Sequence, residues 1–220
     1  QAITDGAKVI VKIDGDGQMD PKLLSHFIDP ILSGRADYTK GNRFYNLDTI
    51  TKMPPVRLFG NTILSFFTKL STGYWNIFDP TNGYTAIHAN VAAHLPFEKI
   101  SRRYFFESDI LFRLNTIRST VLDIPMDAKY ENEISNLSIT KIIPEFTIKH
   151  TQNFLKRIFY NYFLRDFSIA SIELLLGLFL VFFGFSFGIY HWAESATHGI
   201  PATTGTVMLA AVPFIVGMQY

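Results

Sequence analysis

The sequence has no cysteine, which removes disulfide scaffolds, thiolate zinc sites, iron–sulfur clusters and cysteine nucleophiles from consideration. It has no excess of charge of either sign. Its 20 Lys and Arg against 19 Asp and Glu leave a formal charge of +1, so there is no bulk attraction to nucleic acid. Charged residues make up 18% of the chain and hydrophobic ones 48%, a balance that excludes intrinsic disorder. No internal repeat and no low-complexity linker is visible. The most informative absence is local: Arg165 is the last cation, and residues 166–220 carry only three acids, Asp166, Glu173 and Glu194.

That cation-free tail reads as membrane-embedded. From Ile169 to Tyr190 the chain runs IASIELLLGLFLVFFGFSFGIY, which at about 1.5 Å per helical residue covers roughly 33 Å, enough for a hydrocarbon core of about 30 Å. Glu173 is its sole ionisable residue, near the entering end, and Gly177, Gly184 and Gly188 offer small faces for helix packing. A buried helix of a soluble protein is the alternative. A polar connector, HWAESATHGIPATTG, leads to a second apolar run, TVMLAAVPFIVGMQY, which reads as a shortened second span. All cations precede the first span, so the positive-inside rule puts residues 1–165 in the cytoplasm, against a cell (inner) membrane crossed more than once.

Just before the first span, QNFLKRIFYNYFLRDF sets Phe154, Ile158 and Tyr162, with Leu155, Phe159 and Phe163, at i, i+4 spacing. Lys156, Arg157, Asn161 and Arg165 fall mainly on the other side. Such a helix suits an anionic membrane surface, and packing on its own domain is the alternative.

Ahead of it the pattern is α/β. AKVIVKI, residues 7–13, is a short β-branched strand with Val9, Val11 and Ile13 on one face, running into DGDGQMDP. Asp20 as N-cap and Pro21 in the first turn start a helix through LLSHFIDPILSG that Gly34 stops. A strand is expected at Asp37–Lys40, helices over Pro55–Ser71 and Phe106–Ile117, a loop at DPTNGY and a strand at Val121–Pro125. This alternation favours a mostly parallel sheet with ligands beyond the carboxyl ends of its strands.

Asp14 and Asp16 stand two apart where the first strand becomes a loop, and Gly15 and Gly17 allow close backbone approach. Hard oxygen ligands of this kind suit Mg²⁺ or Mn²⁺ shared with a diphosphate. An ordinary Asp–Gly turn is the alternative. An EF-hand is excluded, because Met19 and Ser25 occupy the places of its sixth-position Gly and twelfth-position Glu. His26, His88, His94 and His150 have no metal-ligand spacing.

VIVKIDGDGQMDP resembles the strand and Asp-x-Asp-x-Gln-x-x-Pro segment of family 2 glycosyltransferases, in particular the dolichol-phosphate mannose synthase group and its bacterial polyprenyl-phosphate relatives. Further segments agree in order. KGNRFYN resembles the Gly-x-Arg-Tyr/Phe segment, VRLFGNTILS the Arg-led helix, and DPTNGYTAIH the Asp-x-x-x-Gly-Phe segment. YFFESDILFRL resembles the acidic helix, IPMDAKYENEISNLS the Pro-led strand and Ser-Asn-Leu turn, and GTVMLA the start of a later membrane helix.

The resemblance implies a partial GT-A-type nucleotide-sugar transferase domain over residues 1–150, an amphipathic juxtamembrane helix over 151–168 and two membrane spans over 169–220. Family members open with a βαβ region that holds the nucleoside, so the chain is expected to be an N-terminally shortened piece. The implied reaction moves a sugar, with inversion, from a UDP- or GDP-sugar to a polyprenyl (dolichyl or undecaprenyl) phosphate, with Mg²⁺ or Mn²⁺ as cofactor. It implies Asp14, Asp16 and Gln18 as metal ligands, with Gln18 and Lys129 toward the donor phosphates. Arg43, Arg57 and Asn61 would bind the acceptor phosphate, and Asp79 or Asp109 would orient acceptor or sugar. Many relatives carry an Arg and Gly near the position of Ser135, where this chain has Tyr130, Glu131, Asn132 and Glu133. A homo-oligomer is compatible with this reading. Two rivals are a processive polysaccharide synthase, against which the missing Gln-x-x-Arg-Trp segment counts, and a non-catalytic scaffold, against which the intact Asp14, Asp16, Arg43 and Arg57 count.

Overall fold

The computed structural model describes residues 2–15, 17, 19–45, 55–127 and 139–220, with the side chains of 55–57 and 139–142 outside the description. Two compact units divide the chain, Gln1–Arg157 and Ile158–Tyr220.

The first unit is built on a four-stranded sheet of β1 (Val9–Lys12), β2 (Tyr38–Asn42), β3 (Thr85–His88) and β4 (Val121–Pro125), in the order β1-β3-β2-β4. β3 runs antiparallel to both neighbours, and β2 pairs parallel with β4. The expected mostly parallel sheet is therefore a mixed one: β1, β2 and β4 point the same way, but two of the three described pairings are antiparallel. The reason is β3, which directly follows the expected DPTNGY loop, was not expected as a strand, and enters the sheet antiparallel between β1 and β2. The expected strands at 7–13, 37–40 and 121–125 form close to the expected bounds.

Period-two alternation gives each face its own core. Ile10, Ile87, Tyr38 and Val121 lie in register across the sheet and pack with Ile110, Leu111 and Leu114 of the helix Phe106–Thr116. Val9, Val11, Ala86 and Ile124 face the other way, onto Phe27 and Ile31 of α1 (Leu24–Leu32). Ile13, expected on the face of Val9 and Val11, is instead exposed beyond the strand end. The expected helix start is a 3-10 turn, Pro21–Leu23, that leads into α1: the Asp20 carboxylate caps it by accepting a hydrogen bond from Lys22 N (2.9 Å), and Gly34 follows the helix at φ +71°, a backbone conformation that favours glycine.

The remaining helices are α2 (Pro55–Thr72), α3 (Ala89–Ala93), α4 (Phe106–Thr116) and α5 (Ile139–Phe159), which continues as a π-helical stretch, Tyr160–Arg165. Up to Arg157, α5 packs on its own unit through a polar face. His150 Nδ1 lies 2.8 Å from Ser71 Oγ of α2, Asn153 Nδ2 donates to Asp109 of α4 (3.0 Å), and Arg157 Nη2 donates to the Leu70 carbonyl (2.9 Å). Ile148, Leu155 and Phe159 stay exposed. Arg157, expected on the solvated side, is thus turned inward by a backbone carbonyl that needs a donor.

In the second unit, α6 (Ile169–His198) is the one described helix long and apolar enough to cross a membrane, and α7 (Thr204–Gln219) is a shorter apolar helix. α6 runs eight residues past the expected end at Tyr190, so the connector shrinks. The Ala-Glu-Ser-Ala stretch favours helix, and Gly199 with Pro201 ends it. The two helices meet at glycines: a Cβ on Gly184 would lie 2.6 Å from Ala210 O and 2.7 Å from Phe214 N, and one on Gly177 would lie 2.9 Å from Gly217 O. Backbone cannot yield as a side-chain tip can. Gly184→Leu is therefore expected to force the pair apart at a cost of about 1–3 kcal/mol, seen as a lower unfolding midpoint in detergent. Gly205→Ala, where the nearest neighbour of an added Cβ is Thr203 Oγ1 at an ordinary 3.8 Å, should leave the midpoint unchanged.

Candidate active site

The sheet register places charge at one end. Lys12, Thr85, Lys40 and Asp123 are directly paired across the four strands, one turn of the pleat beyond the apolar row. Side chains two apart on a strand share a face, so this row sits above the core at the carboxyl ends of β1, β2 and β4. Ligands of α/β sheets bind there.

Asp14 follows β1 directly. Its Oδ1 accepts from Lys12 Nζ at 2.8 Å, and the same ammonium reaches Glu107 Oε1 at 3.2 Å and the Gly83 carbonyl at 3.5 Å. A Cβ at Gly83 would collide with the Asp14 carboxylate. The glycine of the DPTNG segment thus leaves the space that the Asp14 carboxylate of the DGD segment fills. Burial pulls the Lys12 pKa down, but Asp14 and Glu107 more than offset it and hold the value above lysine's ordinary one.

Lys40 is fully buried and donates to Asn82 O at 2.5 Å. Burial lowers its pKa to about 8, a fall limited by Glu107, Asp79 and Asp123. Asp79 is also fully buried. Its Oδ2 takes Arg43 Nε at 2.7 Å and Arg43 N at 3.2 Å, while Oδ1 takes Arg43 Nη2 at 3.0 Å. Such a bidentate fork fixes the guanidinium plane. Asn82 completes the loop, donating to Asp79 (3.4 Å) and accepting from Tyr84 N (2.9 Å).

The residues expected from the sequence are thus distributed unevenly. Asp14 stands at the strand tip, and Arg43 and Asp79 are bound to each other beside Lys40. Asp109 is elsewhere: buried, it accepts from Ser101 N (2.7 Å) and Asn153 Nδ2 (3.0 Å), tying α4 to α5. The acidic-helix residue at the strand tip is Glu107. Asn61 is half-buried on α2. Asp16, Gln18, Lys129 and the Arg57 side chain lie outside the described residues.

Lys12, Lys40, Glu107 and Asp123 were missed by the sequence reading. A lysine alternating with Val and Ile in β1, and another in β2, was the available signal, since strand-centre lysines need a partner. The histidines are ordinary. His88 Nδ1 accepts from Asn90 N at a helix start (3.1 Å), and His150, buried among Phe67, Phe105 and Phe146, has its pKa lowered by that burial to about 4. Among the described residues no three His, Asp or Glu side chains gather as a metal site. The fit for a hard cation rests on Asp14 and Glu107, whose oxygens already converge on one positive charge.

Asp123 Oδ2 accepts from Asn42 Nδ2 (2.9 Å) and Phe78 N (3.2 Å), while Oδ1 is buried with no hydrogen-bond partner among the described residues. Burial raises its pKa to about 6. The folded state therefore holds this proton more tightly than the unfolded chain. The stabilisation is complete below the ordinary value of 3.8 and is lost as pH rises through about 6. Asp123→Asn should remove that dependence. Its melting midpoint relative to wild type is expected to rise by about 2–4 °C between pH 4 and pH 7, measured by calorimetry at both values.

Residues 2–95 match the model of Glycosyl transferase family 2. The chain is 28% identical over 151 residues to a UDP-N-acetylglucosamine–dolichyl-phosphate N-acetylglucosaminyltransferase of Methanococcus voltae, covering 69% of this chain and 59% of the relative. It is 28% identical over 141 residues to an uncharacterized protein of Methanocaldococcus jannaschii, covering 64% and 57%. It is also 28% identical over 122 residues to a polyprenol monophosphomannose synthase of Mycolicibacterium smegmatis, covering 55% and 45%. The matched region spans less than two thirds of each of these relatives. The residues 2–95 that resemble Glycosyl transferase family 2 include the DGD segment of the sequence, the Arg43–Asp79 pair and the DPTNG loop.

Proposed function

We propose that the chain belongs to a membrane-anchored glycosyltransferase that moves a sugar from a nucleotide-sugar donor to a polyprenyl phosphate on the cytoplasmic face. The observation that carries the reading is the strand-tip cluster, in which Asp14, Lys12 and Glu107 meet the DPTNG loop at the carboxyl end of β1. Two named relatives, a dolichyl-phosphate N-acetylglucosaminyltransferase and a polyprenol monophosphomannose synthase, support a lipid phosphate as acceptor. A GT-A-type architecture and a second membrane span at α7 belong to this proposal.

In the proposed reaction an acceptor phosphate oxygen attacks the anomeric carbon, the bond from that carbon to the donor diphosphate breaks, and configuration inverts in the single displacement. The acceptor is already ionised near neutral pH, so positioning outweighs general-base catalysis. Mg²⁺ or Mn²⁺, held by Asp14 with Asp16 and Gln18, would supply neutralisation of charge growing on the departing diphosphate. Arg57 and Asn61 of α2 would bind the acceptor phosphate. Arg43 would join them as a cation whose plane Asp79 sets, and Lys129 would face the donor phosphates. The exposed apolar side of α5 and the cation-free α6 would keep this site at the lipid surface, where the acceptor resides.

The test places the chain in a protein of its relatives' full length, reconstituted with polyprenyl phosphate, Mn²⁺ and a panel of nucleotide sugars, and follows radiolabel into the lipid phase. Asp16→Ala is expected to abolish transfer while membrane insertion persists; retained transfer would overturn the metal assignment. Arg57→Ala is expected to raise the KM for lipid phosphate by about tenfold or more, the loss of one charge-assisted contact, with the donor KM little changed. An unaltered acceptor dependence would remove Arg57 from the site.

A further inference from the structure

The tip of β1 holds a cation that the proposed displacement leaves without a task. The Lys12 ammonium is enclosed by oxygens from three separate segments: Asp14 Oδ1 after β1 (2.8 Å), Glu107 Oε1 on α4 (3.2 Å) and the Gly83 carbonyl after the DPTN turn (3.5 Å). Two carboxylates and a carbonyl are the donor set of a hard divalent cation. A divalent cation seated on those oxygens would lie within a few ångströms of the ammonium, and like charges at that separation repel.

The Lys12 and Asp14 side chains are 42% and 41% exposed, so the contact is open to solvent on one side. Lysine carries its charge on a flexible four-carbon stem with three rotatable donors, and can change partner without moving the strand. If it leaves the carboxylates, the anion nearest to hand in the proposed reaction is the donor diphosphate. That anion also lacks one expected partner here, since Tyr130, Glu131, Asn132 and Glu133 stand where many relatives carry an Arg and Gly.

We propose that Lys12 is an exchangeable counter-ion: it holds Asp14 and Glu107 together in the substrate-free site, yields those oxygens to the divalent cation, and pairs with an oxygen of the donor diphosphate. The inference rests on the reading of Asp14 as a metal ligand and adds Glu107 beside it.

A fixed clamp and an exchangeable counter-ion differ in the sign of one measurement. The chain itself in detergent is titrated with Mn²⁺, followed by the electron-paramagnetic-resonance signal of the free ion, and then with pyrophosphate at saturating Mn²⁺, followed by calorimetry. Lys12→Met is expected to bind Mn²⁺ about tenfold more tightly, since the competing ammonium is gone, and pyrophosphate about tenfold more weakly. Lys12→Arg should restore pyrophosphate binding. Weakening of both ligands, or a change in neither, would overturn the proposal and leave Lys12 as a clamp. Glu107→Gln provides a second handle should Lys12→Met fail to fold: it should weaken Mn²⁺, and unchanged Mn²⁺ binding would count against the exchange. Failure of the wild type to bind Mn²⁺ would remove the metal reading and the exchange together, whereas wild-type binding with unmoved variants strikes Lys12 alone.

Discussion

Lys40 lies wholly out of water in the middle of the sheet, and an ammonium there persists only if its surroundings answer its charge. The protein answers with a carbonyl and carboxylates. The Asn82 carbonyl takes the hydrogen bond, and Asp79, Glu107 and Asp123 supply negative field from three directions. These groups come from three elements, so neutralising one buried lysine ties the DPTNG loop, α4 and β4 to β2. Asp79 is shared further with Arg43, and Asp123 is left part-way to neutrality by its own burial. The carboxyl end of the sheet is thereby a matched set of charges, and the apolar row beneath it, Ile10, Ile87, Tyr38 and Val121, keeps water from relaxing the match.

This arrangement gives a physical reason for motifs that look independent in the sequence. The Asp of DGD and the Gly of DPTNG are about seventy residues apart, a separation that the folded sheet closes, and the Asp14 carboxylate fills the space where a side chain on Gly83 would begin. Likewise the Asn of DPTNG earns its position by serving Asp79 and Tyr84 at once. α5 is tied to α4 and α2 by a separate set of contacts, Asn153 on Asp109 and Arg157 on the Leu70 carbonyl. A helix that reads as a membrane-surface element is therefore also anchored, up to Arg157, to the elements bearing the charges.

The membrane-like unit follows other rules. α6 and α7 have almost no polar surface with which to recognise each other, so their contact depends on shape, with Gly177, Gly184 and Gly217 letting backbones approach. The exposed Leu, Phe and Ile side chains around them would be a liability in water and suit a hydrocarbon solvent.

Much of this was legible beforehand. Strand and helix positions in the first unit followed from alternation, caps and Gly34, because those signals are local. The glycosyltransferase resemblance followed from ordered short segments and agrees with the family match over residues 2–95. β3, Thr-Ala-Ile-His, was not legible, since it carries a single large apolar residue, and neither was the choice between Glu107 and Asp109, which sit two apart on one helix. Residues two apart on a helix point about 200° from each other, so one had to face the site and the other α5, and nothing in their order says which. The sequence by itself determined which segments bury apolar surface, where the cations stop and which residue types are present for phosphate and metal chemistry. Tertiary structure alone decided which charges meet: Lys12 with Asp14 and Glu107, Arg43 with Asp79, Asn153 with Asp109. Ion pairing depends on distance through space, and that distance is set by a strand register that no single segment encodes.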